Sequence, residues 1–130
     1  MKRIHLVLLL PLLLGLMAFR QVPLTDPPPI DVPAGISQAK VTDAIADSLM
    51  ARHWTIVKRL PGELDATYAP RDFSVTIAVH YTPQQIQINY VDSNNLKYEV
   101  KNGVRYIHTN YASWIQNLVS DIKSRLVMAQ

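Results

Sequence analysis

A group of aromatic and polar side chains in the last third of the chain could recognise a small ligand. His108 stands at its centre, and the other members carry an aromatic ring or an amide: Tyr98, Tyr106, Asn110, Tyr111 and Trp114. Aromatic rings offer apolar area, while their polar tips, together with imidazole and amide groups, can fix the orientation of a ligand. The same side chains could instead form a hydrogen-bonded cluster that locks the preceding loop onto a helix. The sequence leaves both interpretations open.

The motifs that usually identify an enzyme are missing from the sequence. It has no phosphate loop, dinucleotide glycine signature, nucleophile elbow or zinc protease motif. It has no cysteine, which excludes disulfides, thiolate metal sites and a thiol nucleophile. A small hydrolase using His80 or His108 stays open, because a triad can assemble from residues distant in sequence. We expect no catalytic residue, no cofactor and no metal site.

The positive charge of the chain is concentrated before residue 21. The sequence has 13 Lys and Arg against 10 Asp and Glu, and Lys2, Arg3 and Arg20 account for the whole excess of +3. The remaining residues are therefore neutral overall. Without a basic stripe to neutralise phosphates, nucleic-acid binding is not expected.

The N-terminus has the pattern of a bacterial export signal. A basic start, Lys2-Arg3, is followed by an apolar run over residues 6–19, shorter than the ~20 residues of a typical spanning helix. We predict that residues 1–20 are a signal peptide or an uncut signal anchor. The protein is then exported and periplasmic, either soluble or held at the inner membrane, and it contacts the membrane only through this segment.

Prolines dominate the next segment, residues 21–36. Consecutive prolines lack N–H donors and favour an extended polyproline path. We predict a linker that, at ~3.1 Å per residue, reaches roughly 40–50 Å from a membrane. Asp26 and Asp31 are interpreted as solvated charges. Residues 37–130 are predicted to form a single domain.

The clearest element in that domain is a hairpin over residues 73–90. Its two halves alternate apolar and polar residues, which indicates strands with one buried face. A turn centred on Pro83-Gln84 gives three apolar pairs on one face: Tyr81 with Ile86, Val79 with Ile88, and Ile77 with Tyr90. His80 falls on the opposite, wet face.

Other elements must support this hairpin. A helix is predicted from Ser37 to Ala51, capped by Ser37, and a second from Asn110 to Val127, capped by Thr109 or Asn110, with Asp121 and Arg125 paired on its wet face. Strands at 53–60 and 64–69 flank Pro61-Gly62, with Lys58 opposite Asp65 and a bulge or slip near Val57. Asn102-Gly103 indicates a further short hairpin. The predicted fold is α+β: a two-layer sandwich in which an antiparallel sheet of three to five strands carries two helices on one face, in the order α-β-β-β-β-α.

Part of the chain resembles a known group of proteins. The matching residues are Tyr90-Val91-Asp92-Ser93-Asn94-Asn95-Leu96, Tyr98, Ile107-His108, Asn110-Tyr111 and Trp114-Ile115-Gln116-Asn117-Leu118. This block resembles small exported bacterial envelope proteins, often lipoproteins, that have no assigned activity. The resemblance covers roughly residues 38–126 and implies an envelope domain. Phe19 departs from it, because the lipoprotein pattern requires a cysteine there.

The function expected from these observations is that of a non-catalytic envelope module. It would bind an envelope protein partner or serve as an accessory part of an assembly. The first alternative is a periplasmic protein that binds a cell-wall fragment or an amphiphile at the aromatic and histidine group. The second is the small hydrolase.

Overall fold

The computed structural model describes residues 20–130, so the predicted export signal lies outside the described residues apart from Arg20. The described elements are β1 (Gln21–Pro23), β2 (Ile30–Asp31), α1 (Gln38–Ala51), β3 (Thr55–Leu60), β4 (Glu63–Tyr68), β5 (Ser74–Tyr81), β6 (Gln85–Asn94), β7 (Glu99–Lys101), β8 (Val104–His108) and α2 (Thr109–Met128). The predicted α+β class with antiparallel sheets is confirmed. Neither described helix combines the length and the apolar character needed to cross a bilayer.

The larger sheet has five strands in the order β2-β6-β5-β4-β3. All three predicted pairs of the β5–β6 hairpin are confirmed, including Tyr81 with Ile86 at the turn. The hydroxyl of Thr82 closes this turn by accepting hydrogen bonds from the backbone nitrogens of Gln84 and Gln85, each at 3.1 Å. The alternating pattern therefore fixed the register, because a shift by one residue would move every apolar side chain to the wet face.

The β3–β4 hairpin also follows the prediction. Lys58 lies opposite Asp65, and the register shifts between Ile56 and Lys58, which confirms the irregularity expected near Val57. Gly62 in its turn has a φ of +75°, a conformation that glycine adopts without strain. The bulge leaves Val57 58% exposed on the outer strand of the sheet.

A second sheet of three strands differs from the prediction. The short hairpin at Asn102-Gly103 is confirmed, and both turn residues have positive φ, as a type I′ turn requires. However, the hairpin does not extend the larger sheet. Its strand β8 pairs with β1, so the second sheet has the order β1-β8-β7. The prediction of one sheet missed this arrangement because β1 was assigned to a linker.

The proline-rich segment, residues 21–36, is part of the folded domain instead of the predicted extended linker. It contributes β1 to one sheet and β2 to the other. Leu24, Ile30 and Ile36 are 6%, 2% and 5% exposed within the core. Prolines are tolerated at sheet edges because a missing N–H is not needed on the open side. The segment folds because the apolar residues between its prolines are buried in the core of the domain.

The two helices contact the apolar side of the larger sheet. The hydroxyls of Thr42 in α1 and Tyr81 in β5 lie 2.8 Å apart, and the ring of Trp114 in α2 meets Tyr68 of β4 edge-on at 4.9 Å. Ser37 caps α1 as predicted, accepting a hydrogen bond from the nitrogen of Lys40 at 3.2 Å. Buried residues of both helices and both sheets form one core.

The predicted ion pair between Asp121 and Arg125 is wrong. The carboxylate of Asp121 instead accepts two hydrogen bonds from the guanidinium of Arg52, at 2.8 and 3.3 Å. Arg52 follows α1 directly, so this pair joins the end of α1 to the middle of α2. Spacing along one helix could not reveal a partner from the other helix.

Candidate functional site

The six residues predicted as a ligand site take up several different environments. Tyr98 and Tyr111 meet around Tyr90, whereas Trp114 packs with Tyr68. Tyr106 lies beneath the ammonium group of Lys101, 5.7 Å from its ring centre. The two remaining residues, His108 and Asn110, stand at the start of α2 and are joined by a hydrogen bond.

Tyr90 organises the first of these environments, although the sequence placed it only in the hairpin. Its ring stacks on Tyr98 at 5.4 Å and meets the edge of Tyr111 at 5.8 Å, while the guanidinium of Arg105 lies 6.0 Å from its centre. Its hydroxyl lies 2.6 Å from the hydroxyl of Ser93. Burial raises the pKa of the Tyr90 hydroxyl, which therefore remains a neutral hydrogen-bonding group.

Trp114 belongs to an aromatic cluster that stabilises the fold. Its ring contacts Tyr68, which in turn stacks on Trp54 at 5.3 Å. Trp54 is only 4% exposed. These contacts join α2 to β4 and to the turn before β3. In the described residues Trp114 therefore has a packing role, and its contacts do not bring it to His108.

His108 caps α2, where Thr109 or Asn110 had been predicted. Its Nδ1 accepts a hydrogen bond from the backbone nitrogen of Asn110 at 3.0 Å, and its own backbone nitrogen donates to the carbonyl of Leu96 at 2.7 Å. Burial, followed by the positive charges of Lys97 and Arg20, lowers the pKa of the imidazole. The neutral ring that results can accept the capping hydrogen bond. This geometry agrees with the interpretation that the histidine locks the preceding loop onto the helix.

A groove lies between the proline-rich segment and α2. Its volume is about 500 Å³, within the range of roughly 300–1,000 Å³ that is usual for small-molecule sites. Most of its lining is apolar, with polar side chains at intervals. The lining residues are Val22, Pro23, Leu24, Thr25, Asp26, Pro27, Pro28, Ile107, Tyr111, Ala112, Ile115, Gln116, Val119, Ser120 and Lys123.

Tyr111 is the member of the predicted site that lines this groove. The residue is 3% exposed, and its hydroxyl is buried without a hydrogen-bond partner among residues 20–130. Leaving such a group unpaired costs about 1–3 kcal/mol. Burial, followed by the charge of Asp26, strongly raises the pKa of the phenol. The hydroxyl is therefore a neutral donor beside an apolar groove.

Two charged residues of the groove have different roles. The carboxylate of Asp26 is occupied, because it accepts hydrogen bonds from Nδ2 of Asn89 at 2.9 Å and from the backbone nitrogen of Tyr90 at 3.0 Å. Within residues 20–130, no carboxylate lies within ion-pair distance of Lys123. From Tyr111 to Lys123 the helix advances 12 residues, or about 18 Å. The groove thus combines a long apolar floor with an available cation.

The sequence missed most of this groove. Residues 22–28 were assigned to the linker, so neither their apolar side chains nor Asp26 were considered as part of a site. The signal that could have revealed them is the placement of Val22 and Leu24 among the prolines, since a solvated linker has no need of large apolar residues. Ile115 and Val119 were interpreted only as core positions of α2.

His80 lies on the open face of the larger sheet, as predicted, with its side chain 51% exposed. Its Nδ1 is 3.6 Å from Oε1 of Glu63, whose other oxygen is 3.9 Å from Nζ of Lys58. Burial, and then the neighbouring Glu63, raises the pKa of Asp65. No set of three His, Cys, Asp or Glu residues in the described part of the chain is arranged to hold a metal ion.

Comparisons with known proteins do not indicate what this site binds. No protein-family model matches the chain, and a search of curated proteins finds no similar sequence.

Proposed function

We propose that the protein is a non-catalytic domain that binds a single-chain amphiphile with an anionic head group, in the groove between residues 22–28 and α2. The observation that carries the proposal is a long apolar groove lined by Lys123, which has no carboxylate partner within residues 20–130. A fatty acid has the matching chemistry, because its acyl chain can lie on the apolar floor and its carboxylate can bind an ammonium group.

The apolar part of the groove supports a ligand with a hydrocarbon body. Leu24, Ile107 and Ile115 are already buried beneath the groove, so a ligand would extend an existing core. Burying apolar area yields about 25 cal/mol per Å². Nine of the fifteen lining residues are apolar, so a sugar or a peptide backbone would place many of its hydrogen-bonding groups against apolar side chains. These features favour an acyl chain over a cell-wall fragment.

The charges support an anionic head group near Lys123. A cationic head would have Asp26 as its natural partner, but that carboxylate already binds Asn89 and the backbone of Tyr90. Lys123 has no comparable partner in residues 20–130. An anion beside it would gain a charge-assisted hydrogen bond, which is roughly twice as strong as a neutral one.

The decisive experiment blocks the groove and leaves the fold intact. Ala112 lines the groove, whereas the next residue, Ser113, is exposed outside it. We expect Ala112→Trp to abolish binding of a fluorescent long-chain fatty acid, because the indole fills the space of the acyl chain. Ser113→Trp is the matched control and should bind as the parent protein does. Equal binding by both variants would contradict the proposed site.

A second comparison tests the role of Lys123. Lys123→Gln should weaken binding of a fatty acid about tenfold or more, as expected for the loss of a charged hydrogen bond of about 1.5–3 kcal/mol. It should leave binding of the fatty alcohol with the same chain length unchanged. A similar loss for both ligands would show that the head group does not bind at this lysine.

The cellular setting belongs to the same proposal. The predicted export signal and the resemblance to bacterial envelope proteins support a periplasmic location, where acyl lipids are abundant. An accessory role in a protein assembly was predicted from a small neutral domain without catalytic motifs, carried on a proline-rich tether. That segment is folded in the structure, so the groove now has more support than an assembly role.

A further inference from the structure

The outer face of the three-stranded sheet carries a basic patch whose charged residues lie outside the groove. The strand registers place Gln21, Pro23, Lys101, Val104, Tyr106 and His108 on one face, with Glu99. Val104 is 42% exposed and Lys101 is exposed. On the opposite face Ile107 is buried against the core, whereas the outer face has no residue of the buried core.

Two more cations join this face at its edges. Nε2 of Gln21 donates to the carbonyl of Lys97 at 2.7 Å, which holds the backbone of Lys97 beside the patch. The nitrogen of Thr109 donates to the carbonyl of Arg20 at 2.8 Å, which holds Arg20 beside β1. Burial lowers the pKa of the His108 imidazole, and the positive charges of Lys97 and Arg20 lower it further.

The patch has a net positive charge and an amphipathic character. Its cations are Arg20, Lys97 and Lys101, and the nearest described carboxylate is Glu99, 3.4 Å from Nζ of Lys101. A local excess of positive charge is unusual for this protein, because residues 21–130 are neutral overall. Tyr106 and Val104 add an aromatic and an aliphatic side chain. Cations with neighbouring Tyr and apolar residues are typical of surfaces that rest at the head groups of a bilayer.

The position of the N-terminus indicates what would face this patch. The apolar run of residues 6–19 ends at Arg20, and β1 begins at the next residue. If the predicted linker were extended, tens of ångströms would separate the domain from that run. The folded segment leaves no such spacer, so a membrane-held N-terminus would bring the β1-β8-β7 sheet to the lipid surface.

We propose that the outer face of the β1-β8-β7 sheet docks on an anionic lipid surface through Arg20, Lys97 and Lys101, with Val104 and Tyr106 at the level of the head groups. Glu99 balances only one of the three cations, and anionic lipid head groups can pair with the remaining two. Docking fixes the orientation of the domain, whereas the N-terminal segment alone would only fix its distance. The proposal does not depend on the amphiphile groove, whose lining lacks all five of these residues.

The test uses the full chain in vesicles and measures orientation instead of attachment. The chain has no cysteine, so Val104→Cys provides a single site for an environment-sensitive fluorophore. Gln84→Cys, in the exposed β5–β6 turn, provides the matched control site. We expect a blue shift of the label at residue 104 in phosphatidylglycerol vesicles and none at residue 84. The shift should vanish in pure phosphatidylcholine and in about 1 M salt, where the Debye length falls to about 3 Å.

Charge removal completes the test. The triple substitution Arg20→Gln, Lys97→Gln and Lys101→Gln should abolish the blue shift. Removing the same charge elsewhere, with Lys40→Gln, Lys58→Gln and Arg59→Gln, should preserve it. The proposal is overturned by an unchanged shift in the first variant, by equal shifts at both label sites, or by the same shift in neutral lipid.

Discussion

The Nδ1 atom of His108 lies 3.0 Å from the backbone nitrogen of Asn110 and accepts its hydrogen bond. A histidine thus occupies the capping position at the start of α2. Nδ1 can accept this bond only while the ring is neutral. Burial, together with the neighbouring cations Lys97 and Arg20, lowers the pKa of the ring and so favours its neutral form. The cap, the basic patch and the helix are therefore joined in one local arrangement.

This arrangement predicts a pH-dependent stability. Because the pKa of His108 in the folded state lies below its ordinary value of 6.5, the unfolded chain binds the proton first as the pH falls. The contribution of the neutral His108 cap to the free energy of unfolding is complete above about pH 6.5. It decreases as the pH falls toward the pKa that His108 has in the folded state. His108→Ala should lower the free energy of unfolding by about 1 kcal/mol at pH 8, the usual loss for a helix cap.

His108→Asn separates capping from titration. An asparagine can cap the helix but does not ionise in this range, so this variant should retain stability at pH 8 and lose this component of the acid dependence. Urea unfolding at pH 8 and pH 5 measures both effects. An unchanged pH dependence in His108→Asn would contradict the role assigned to the imidazole.

Leu24 tests whether the proline-rich segment is folded in solution. The side chain is 6% exposed, so Leu24→Ala should reduce the free energy of unfolding by about 2–5 kcal/mol, as for other buried leucines. Its neighbour Thr25 is exposed, and Thr25→Ala should change stability little. Thermal unfolding of the two variants gives the comparison. A linker, as the sequence suggested, would make both substitutions neutral.

Asp26 should be required to hold the proline-rich segment against β6. Its carboxylate accepts hydrogen bonds from Asn89 and from the backbone nitrogen of Tyr90. Asp26→Ala leaves that backbone donor without its partner and should cost about 1–3 kcal/mol. Hydrogen exchange at the amide of Tyr90 should accelerate. Asp31→Ala, at an exposed position of β2, should leave that amide as protected as in the parent protein.

Asp65 is expected to destabilise the protein at neutral pH. Burial and the neighbouring Glu63 raise its pKa above the ordinary value of 3.8. The unfolded chain therefore releases this proton first, and the free energy of unfolding decreases as the pH rises from 3.8 toward the folded pKa. Asp65→Asn should raise the melting temperature at pH 7 but not at pH 3. Asp47→Asn, on the exposed side of α1, is the control and should have little effect at either pH.

Regular patterns in the sequence predicted the larger sheet well. The β5–β6 register followed from alternating apolar residues, because only one pairing places Ile77, Val79 and Tyr81 on the same face as their partners. The bulge near Val57 was visible as a break in that alternation. These features are local, so neighbouring residues carry enough information to predict them.

Relationships between distant residues were not predictable in the same way. The partner of Asp121 is Arg52 rather than Arg125, since the approach of the two helices decides it. The groove was missed because residues 22–28 contain prolines, which indicate an extended path but not what that path lies against. Of the aromatic and histidine group, Tyr111 lines the groove, whereas Trp114 and His108 have packing and capping contacts.

The closure of the β6 edge by an N-terminal segment has a consequence for the order of folding. The bond between Asp26 and the backbone of Tyr90 joins residues 64 positions apart, so the proline-rich segment is made before β6 but can dock only after β6 has formed. Until then β6 presents unpaired backbone groups, which can recruit a strand from another molecule. A segment made early thus completes this edge of the sheet after strands that are made later, and its prolines, which lack N–H donors, make the new edge a poor template for further strands.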